Sequence, residues 1–341
     1  MPQKLGLLTG FPGWLTNRFL QRLDSADDPY WQDSLRDYRW HAIVAPENED
    51  GYGALTDKVA QIHVADVRDE GAVARAFTIN PDLVLHAAGI IHPSRICQLY
   101  EINRDGTRNV AEAATKSEVR RLVYISSNAA AGFGCSATDR MCESDAPNPQ
   151  SQYGKSKLEG ERVVWRTIEG SATEAVVLRP ATVYGPRFPR RQLRAFLTVR
   201  DGRPPIFGDG ENAVSAVYID NLVQCVGLAL TVPEGAGKTY FVADDPVYRW
   251  REVFDEIGRA QGVAVRPRRF PALVATACAF LDGFLARLDQ YAMDVHLAGE
   301  ADRHMGCSID RAKTELGYRP ITDLSRGMVE AVQWAKQSAW L

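Results

Sequence analysis

Tyr153 and Lys157 stand four residues apart in Tyr153-Gly154-Lys155-Ser156-Lys157, downstream of Tyr124-Ile125-Ser126-Ser127. On a helix that spacing puts both side chains on one face, one turn apart. An ammonium there stabilises a phenolate whose unperturbed pKa is about 10, which makes tyrosine a usable acid and base near neutrality. A hydroxyl from Ser127, with Asn128 beside it, would hold a reacting oxygen against the tyrosine. A tyrosine and lysine at this spacing are common on solvated helices. Here the pair follows a strand-end Ser-Ser in a chain that opens on a second chemical signal.

That signal is Thr9-Gly10-Phe11-Pro12-Gly13-Trp14-Leu15-Thr16, which follows the apolar run Leu5-Gly6-Leu7-Leu8 and leads into Asn17-Arg18-Phe19-Leu20. A strand, a tight glycine turn and a helix N-terminus form a pyrophosphate site, because small residues admit the anion to free backbone N–H groups. Thr16 stands where a third glycine is usual, which predicts slightly wider helix–strand packing. The second strand ends in Ile43-Val44-Ala45-Pro46-Glu47, with neither an acid nor a base at Ala45. The acids that follow would repel a 2′-phosphate, which favours NAD over NADP unless Arg18, Arg36 or Arg39 reaches the site. Asp66, before Val67, is either an acceptor for an adenine amino group or a helix N-cap.

These residues need a frame. Short apolar runs at 5–8, 42–44, 61–64, 83–86, 121–125 and 175–178 alternate with helical stretches, the rhythm of a doubly wound parallel α/β sheet. Residues 24–40 form a polar insertion. After Arg179-Pro180 the grammar changes to a Pro- and Arg-rich passage. The chain therefore divides into a dinucleotide-binding unit, 1–180, and a smaller, mostly helical substrate cap, 181–341, with 213–230 folding back onto the first. Predicted cap helices are 219–230, 250–261, 273–288 and 325–336. Arg187, Arg190, Arg191 and Arg194 follow Pro186, either as a solvated loop or as a clamp for an acidic substrate, with Arg187 and Arg191 as candidate substrate contacts.

The 341 residues carry 40 Lys and Arg against 43 Asp and Glu, a net charge of −3 that offers no case for nucleic-acid binding. Six cysteines without paired spacing read as reduced thiols, which points to the cytoplasm. No signal peptide or membrane span is predicted. The nearest apolar run, 270–288, reads first as a buried or half-buried helix. Its second reading is a membrane-surface helix, since Arg266, Arg268 and Arg269 precede it. His92, His296 and His304 show no ligand spacing, so no metal site is predicted.

Together these motifs resemble the extended short-chain dehydrogenase/reductases. The resemblance runs through Thr9-Gly10-x-x-Gly13, Asp66-Val67, His86-Ala87-Ala88, Asn103 with Gly106-Thr107, Ser126-Ser127, Tyr153-x-x-x-Lys157, residues 179–186 and Leu316-Gly317-Tyr318-x-Pro320. It implies a Rossmann fold, a homodimer, and catalytic roles for Ser127, Tyr153 and Lys157. It also implies a cofactor cradle from Thr9, Gly10, Pro12, Gly13, Trp14, Leu15, Asp66, Val67, His86, Ala87, Ala88, Gly89, Asn103, Ile125, Ser126, Tyr153, Lys157, Pro180, Ala181, Thr182 and Val183. Asn128-Ala129 after Ser127 lack the Asp-Glu of the sugar-nucleotide dehydratases. Thr182 and Val214 replace an asparagine and an arginine typical of the epimerases. The pattern is closer to the 3β-hydroxysteroid dehydrogenase-like branch, an NAD(P)-dependent oxidoreductase of secondary alcohols and ketones. A nucleotide-sugar epimerase with tightly bound NAD and a non-catalytic dinucleotide sensor are the alternatives.

Overall fold

The computed structural model describes residues 3–23, 33–47 and 58–341. Most of the predicted insertion, residues 24–32, lies outside the described residues. The first half is built from β1 (Leu5–Thr9), α1 (Trp14–Leu23), β2 (Arg39–Val44), β3 (Gln61–Val64), α2 (Glu70–Phe77), β4 (Leu83–His86), α3 (Cys97–Tyr100), α4 (Thr107–Lys116), β5 (Arg121–Ile125), α5 (Gln152–Ile168) and β6 (Glu174–Pro180). All six predicted strands are present. Strand β2 begins earlier than expected because Trp40 is buried and packs edge-on against Phe19, so that end of the expected insertion belongs to the sheet.

The second half adds β7 (Thr182–Tyr184), α6 (Leu193–Arg200), β8 (Pro205–Phe207), β9 (Ala213–Val214), β10 (Ala216–Tyr218), α7 (Ile219–Thr231), β11 (Lys238–Val242), β12 (Tyr248–Arg249), α8 (Trp250–Gln261), β13 (Arg268–Phe270), α9 (Ala272–Arg287), α10 (Met293–Glu300) and α11 (Leu324–Gln337). The central sheet is seven-stranded and parallel, in the order β11-β6-β5-β4-β1-β2-β3. This is a Rossmann-type doubly wound sheet whose order reverses beside β1, where a crevice opens past the strand ends. Its last strand, β11, lies in the sequence half expected to form the cap. The chain thus leaves the sheet after Pro180 and returns through α7 and β11.

Buried aliphatic residues fill both faces of the sheet, with Leu8, Leu85, Val123 and Leu178 on one side and Leu7, Val84, Leu122 and Val177 on the other. The alternation along each strand is what a sheet covered by helices on both faces requires. Arg121, only 2% exposed, donates to the carbonyls of Ala229 and Val232 at the C-terminus of α7 and pairs with Glu174, so its charge meets the negative end of that helix.

Of the buried or half-buried helix expected at 270–288, the half-buried form is the one present. The 270–288 segment is helical, but only Ala275 of α9 is buried, while Leu273 and Phe280 are 76% and 78% exposed. Hydropathy alone does not say whether anything covers a helix, and among the described residues only one side of this one is covered.

Candidate functional site

At the end of β1 the backbone turns through Gly10 at φ +81°, where a Cβ would lie 2.6 Å from the backbone of Ala87. A Cβ on Gly13 would lie 2.5 Å from the Gly10 carbonyl oxygen. Both positions admit only glycine. Helix α1 starts immediately afterwards and points its free N–H groups into the cleft. Thr16, in place of the third glycine, donates its hydroxyl to the carbonyls of Gly10 and Gly13 at 3.1 and 3.0 Å. Trp14 donates its indole N–H to the Pro186 carbonyl at 2.9 Å, which ties the loop to the cap.

The cleft that begins here has a volume of about 1580 Å³, larger than the ~300–1,000 Å³ of a pocket for one drug-sized ligand. Pro12, Leu15, Ala87, Ala88, Gly89, Pro180, Ala181, Thr182 and Val183 all line it beside Gly10, Gly13 and Trp14. Two expected cofactor contacts do not line it. Thr9 and His86 are fully buried beneath the floor, where Thr9 Oγ1 and His86 Nδ1 share a 2.6 Å hydrogen bond and the hydroxyl also accepts from the Ala88 N–H. On its other side His86 bonds Thr107 Oγ1, and burial pushes its pKa down to about 3, so the ring is a neutral brace for the loop.

Along the far end of the cleft lie Ala45, Glu47, Asp66 and Val67. Asp66 is not the N-cap of α2, a role held by Asp69, which accepts from the Ala72 N–H. It accepts instead from the Arg68 guanidinium, whose hydrogen bonds hold the carboxylate below its usual pKa. Arg18 also reaches the cleft but is paired with Asp220. Arg36 pairs with Asp33, and Arg39 opens β2 at the end remote from the crevice.

Around the expected reaction centre, Ser151 caps α5 by accepting from the Gly154 N–H, which places Tyr153 and Lys157 in its first turns. A Cβ on Gly154 would lie 2.3 Å from the Ala129 carbonyl oxygen, so this glycine lets the helix approach the turn after β5. Ile125, Ser126, Ser127, Asn128, Tyr153 and Lys157 all line the cleft. The Ser127 hydroxyl accepts from the Ala129 N–H at 3.2 Å and lines the cleft together with the Tyr153 phenol. Burial raises the phenol pKa, and Ser127 and the Arg191 guanidinium pull it down. The expected depression by Lys157 is not what this geometry produces. The ammonium donates to the Ile125 carbonyl at 2.7 Å, lies over the Tyr124 ring, and is itself pushed down to about 7 by burial.

Two further predicted residues serve as supports. Ser126 donates its hydroxyl to buried Glu161 at 2.5 Å, and Arg179 grips the same carboxylate with two bonds of 2.9 and 2.7 Å. Asn103 is fully buried and clamps Ile90 by bonding both its N–H and its carbonyl, with a third bond to Ser156. It sits in a π-helical turn, Glu101–Gly106, an irregularity frequent at functional sites.

The cap supplies the opposite wall. Arg187, Arg191 and Arg194 line the cleft, Arg194 paired with Asp294, whereas Arg190 stacks over Trp340. Sequence reasoning missed His92, His296 and Glu300, which line the same space. His92 and the Tyr291 hydroxyl share a hydrogen bond, and His296 bonds Asp282 at 3.1 Å with Glu300 at 3.7 Å on its other nitrogen. Burial favours neutral His296, but its two carboxylates outweigh that and raise its pKa. The indole N–H of Trp250, also at the cleft, has no protein partner. The one available sequence signal was the four-residue spacing of His296 and Glu300, which shares a helix face.

A family model described as the NAD dependent epimerase/dehydratase family matches residues 7–243. The chain is 34% identical to the uncharacterized protein y4nL of Sinorhizobium fredii, over 97% of this chain and 94% of that one. It is 26% identical to 3beta-hydroxysteroid-dehydrogenase/decarboxylase isoform 1 of Arabidopsis thaliana, over 87% of this chain and 76% of the relative. Among solved structures, a UDP-glucuronic acid 4-epimerase from Bacillus cereus with UDP-glucuronic acid and NAD superposes with a TM-score of 0.75 at 20% identity, covering 98% of this chain and 99% of that one.

Proposed function

Because the chain belongs to the NAD dependent epimerase/dehydratase family, we propose that it is an NAD-dependent oxidoreductase interconverting a secondary alcohol and its ketone, of the 3β-hydroxysteroid dehydrogenase-like type. The observation that carries this reading is the convergence of Ser127 and Tyr153 on the cleft floor, with Lys157 buried one turn farther along α5.

The cleft suits a dinucleotide. The space at Gly10 and Gly13 that a Cβ would fill, with the N-terminus of α1 behind it, fits a pyrophosphate. Glu47 and Asp66 line the ribose end, and Arg18 and Arg68 are each neutralised by a carboxylate, which favours NAD over NADP. Bound there, NAD supplies the hydride acceptor or donor. Tyr153 takes the proton from the substrate hydroxyl in oxidation and returns it to the carbonyl oxygen in reduction. Ser127 holds that oxygen against the phenol, and Lys157 offers its ammonium to the ribose hydroxyls. Arg191 lowers the phenol and presents a guanidinium to an acidic group on the substrate.

The epimerase reading keeps one support, since Arg187 and Arg191 suit a diphosphate or carboxylate as well as they suit an acidic alcohol. Against it, Val214, at the position where the epimerases carry arginine, is buried in β9. The test is Tyr153→Phe and Ser127→Ala, each followed by cofactor titration. Turnover is expected to fall by about a thousandfold in the first, with NAD affinity within a factor of about two. A Tyr153→Phe enzyme with undiminished turnover overturns the assignment.

A further inference from the structure

Helix α9 is 16 residues long, roughly 24 Å at 1.5 Å per residue, too short for a ~30 Å hydrocarbon core. One side of it packs. Ala275 is buried, Ala279 closes on Gly299 of α10, and Asp282 bonds His296. The other side presents Leu273, Phe280, Leu281 and Phe284 to solvent, with Leu288 just beyond the helix end. A water-facing helix normally carries its polar residues there.

The helix is held at both ends. Before it, β13 pairs with β8, and after it the Asp289 carboxylate accepts from the Cys97 N–H at 2.7 Å and pairs with Arg95. The apolar face is therefore displayed by a fixed element. Arg266, Arg268 and Arg269 are exposed at its approach and Arg287 at its last turn, none in an ion pair among the described residues. The one acid on the helix, Asp282, is turned inward to His296.

We propose that this face docks on an anionic lipid surface, with the phenylalanines and leucines at the headgroup–acyl boundary and the arginines on the headgroups. Charge decides between occupants. A two-fold contact between copies would set these arginines against their own mates, whereas an anionic bilayer complements them. Helix α10, packed behind α9, forms part of the cleft wall through Met293, His296 and Glu300. Docking therefore sets the cleft beside the lipid surface. That consequence rests on the oxidoreductase reading above and points to an amphiphilic alcohol as substrate; the docking itself does not depend on it.

The test is flotation of the full chain with phosphatidylcholine vesicles, with and without phosphatidylglycerol, alongside light scattering. The protein is expected to float with the mixed vesicles, to stay behind with phosphatidylcholine alone, and to be released by salt. Phe280→Glu with Phe284→Glu, both on solvent-facing positions, should abolish flotation with unchanged circular dichroism. Reversing Arg266, Arg268 and Arg269 to Glu should cut it on the order of a hundredfold. No flotation with mixed vesicles, equal flotation by the Phe280→Glu/Phe284→Glu variant, or equal flotation on neutral vesicles overturns the proposal. So does a dimer that the double variant splits in the absence of vesicle binding. Turnover is not read, so an inactive enzyme that floats leaves the docking intact, and an active one that does not float removes only the docking.

Discussion

The floor of the cleft and its cap wall come from one chain but are built differently. On the floor the polar groups are spent inside the fold. Thr9, His86, Asn103, Ser126 and Glu161 all bond protein partners, and the glycines are positions where a Cβ has no room. On the wall Arg187 and Arg191 face the cleft, and α9 faces solvent with apolar side chains. A floor of this kind fixes one shape. On the wall Arg187 and Arg191 have no protein partner among the described residues, and the reading proposed above assigns them to the substrate.

The largest effects are expected on the floor. Arg179→Ala strands Glu161, a carboxylate only 3% exposed, and should cost about 3–5 kcal/mol of stability in denaturant unfolding. A loss within 0.5 kcal/mol, roughly that of a surface change, would mean that the pair is no support. Gly10→Ala adds a Cβ against the Ala87 backbone at positive φ, with about 1–3 kcal/mol of strain. NAD affinity should drop at least about tenfold by calorimetry.

Lys157, on the floor, gives a pH signature. Burial brings it to about 7, whereas the unfolded chain keeps a value near ~10.4. Between those values the unfolded state holds the extra proton. Stability of the cofactor-free protein therefore gains from this group as pH rises through and above about 7. Lys157→Met should flatten that slope in melts taken across the window.

The wall should answer more mildly. Arg191→Ala is expected to raise KM for an acidic substrate about tenfold, the cost of roughly one exposed charged contact, and to move the tyrosine limb of the pH profile upward because Arg191 lowers the phenol. An unchanged profile would separate Arg191 from the reaction centre. Phe280→Ser, on the solvent face of α9, should alter stability by less than about 0.5 kcal/mol. A larger loss would show that the face is packed in solution.

How far each region could be read in the sequence follows the same division. Strand periodicity and the spacings at Gly10, Ser127, Tyr153 and Lys157 are local, so the floor was legible. Thr9 and His86 belong to two motifs whose other members line the cleft but sit under the floor themselves, because a motif preserves a loop's supports along with its contacts. The wall draws on His92, Arg191, Trp250 and Glu300, which only tertiary folding brings together. For α9 the apolar composition was plain, but its covering was not, since a sequence gives hydropathy without neighbours.

Nicotinamide absorbance of the purified protein with NAD⁺ or NADP⁺ against 3β-hydroxysteroids, β-hydroxy acids and nucleotide sugars, with product analysis of every mixture, separates the oxidoreductase from the epimerase. Net reduction of NAD⁺ with formation of a ketone is the predicted result. An unchanged cofactor, with a nucleotide sugar converted to its epimer, would contradict the dehydrogenase reading and make Arg187 and Arg191 the diphosphate clamp.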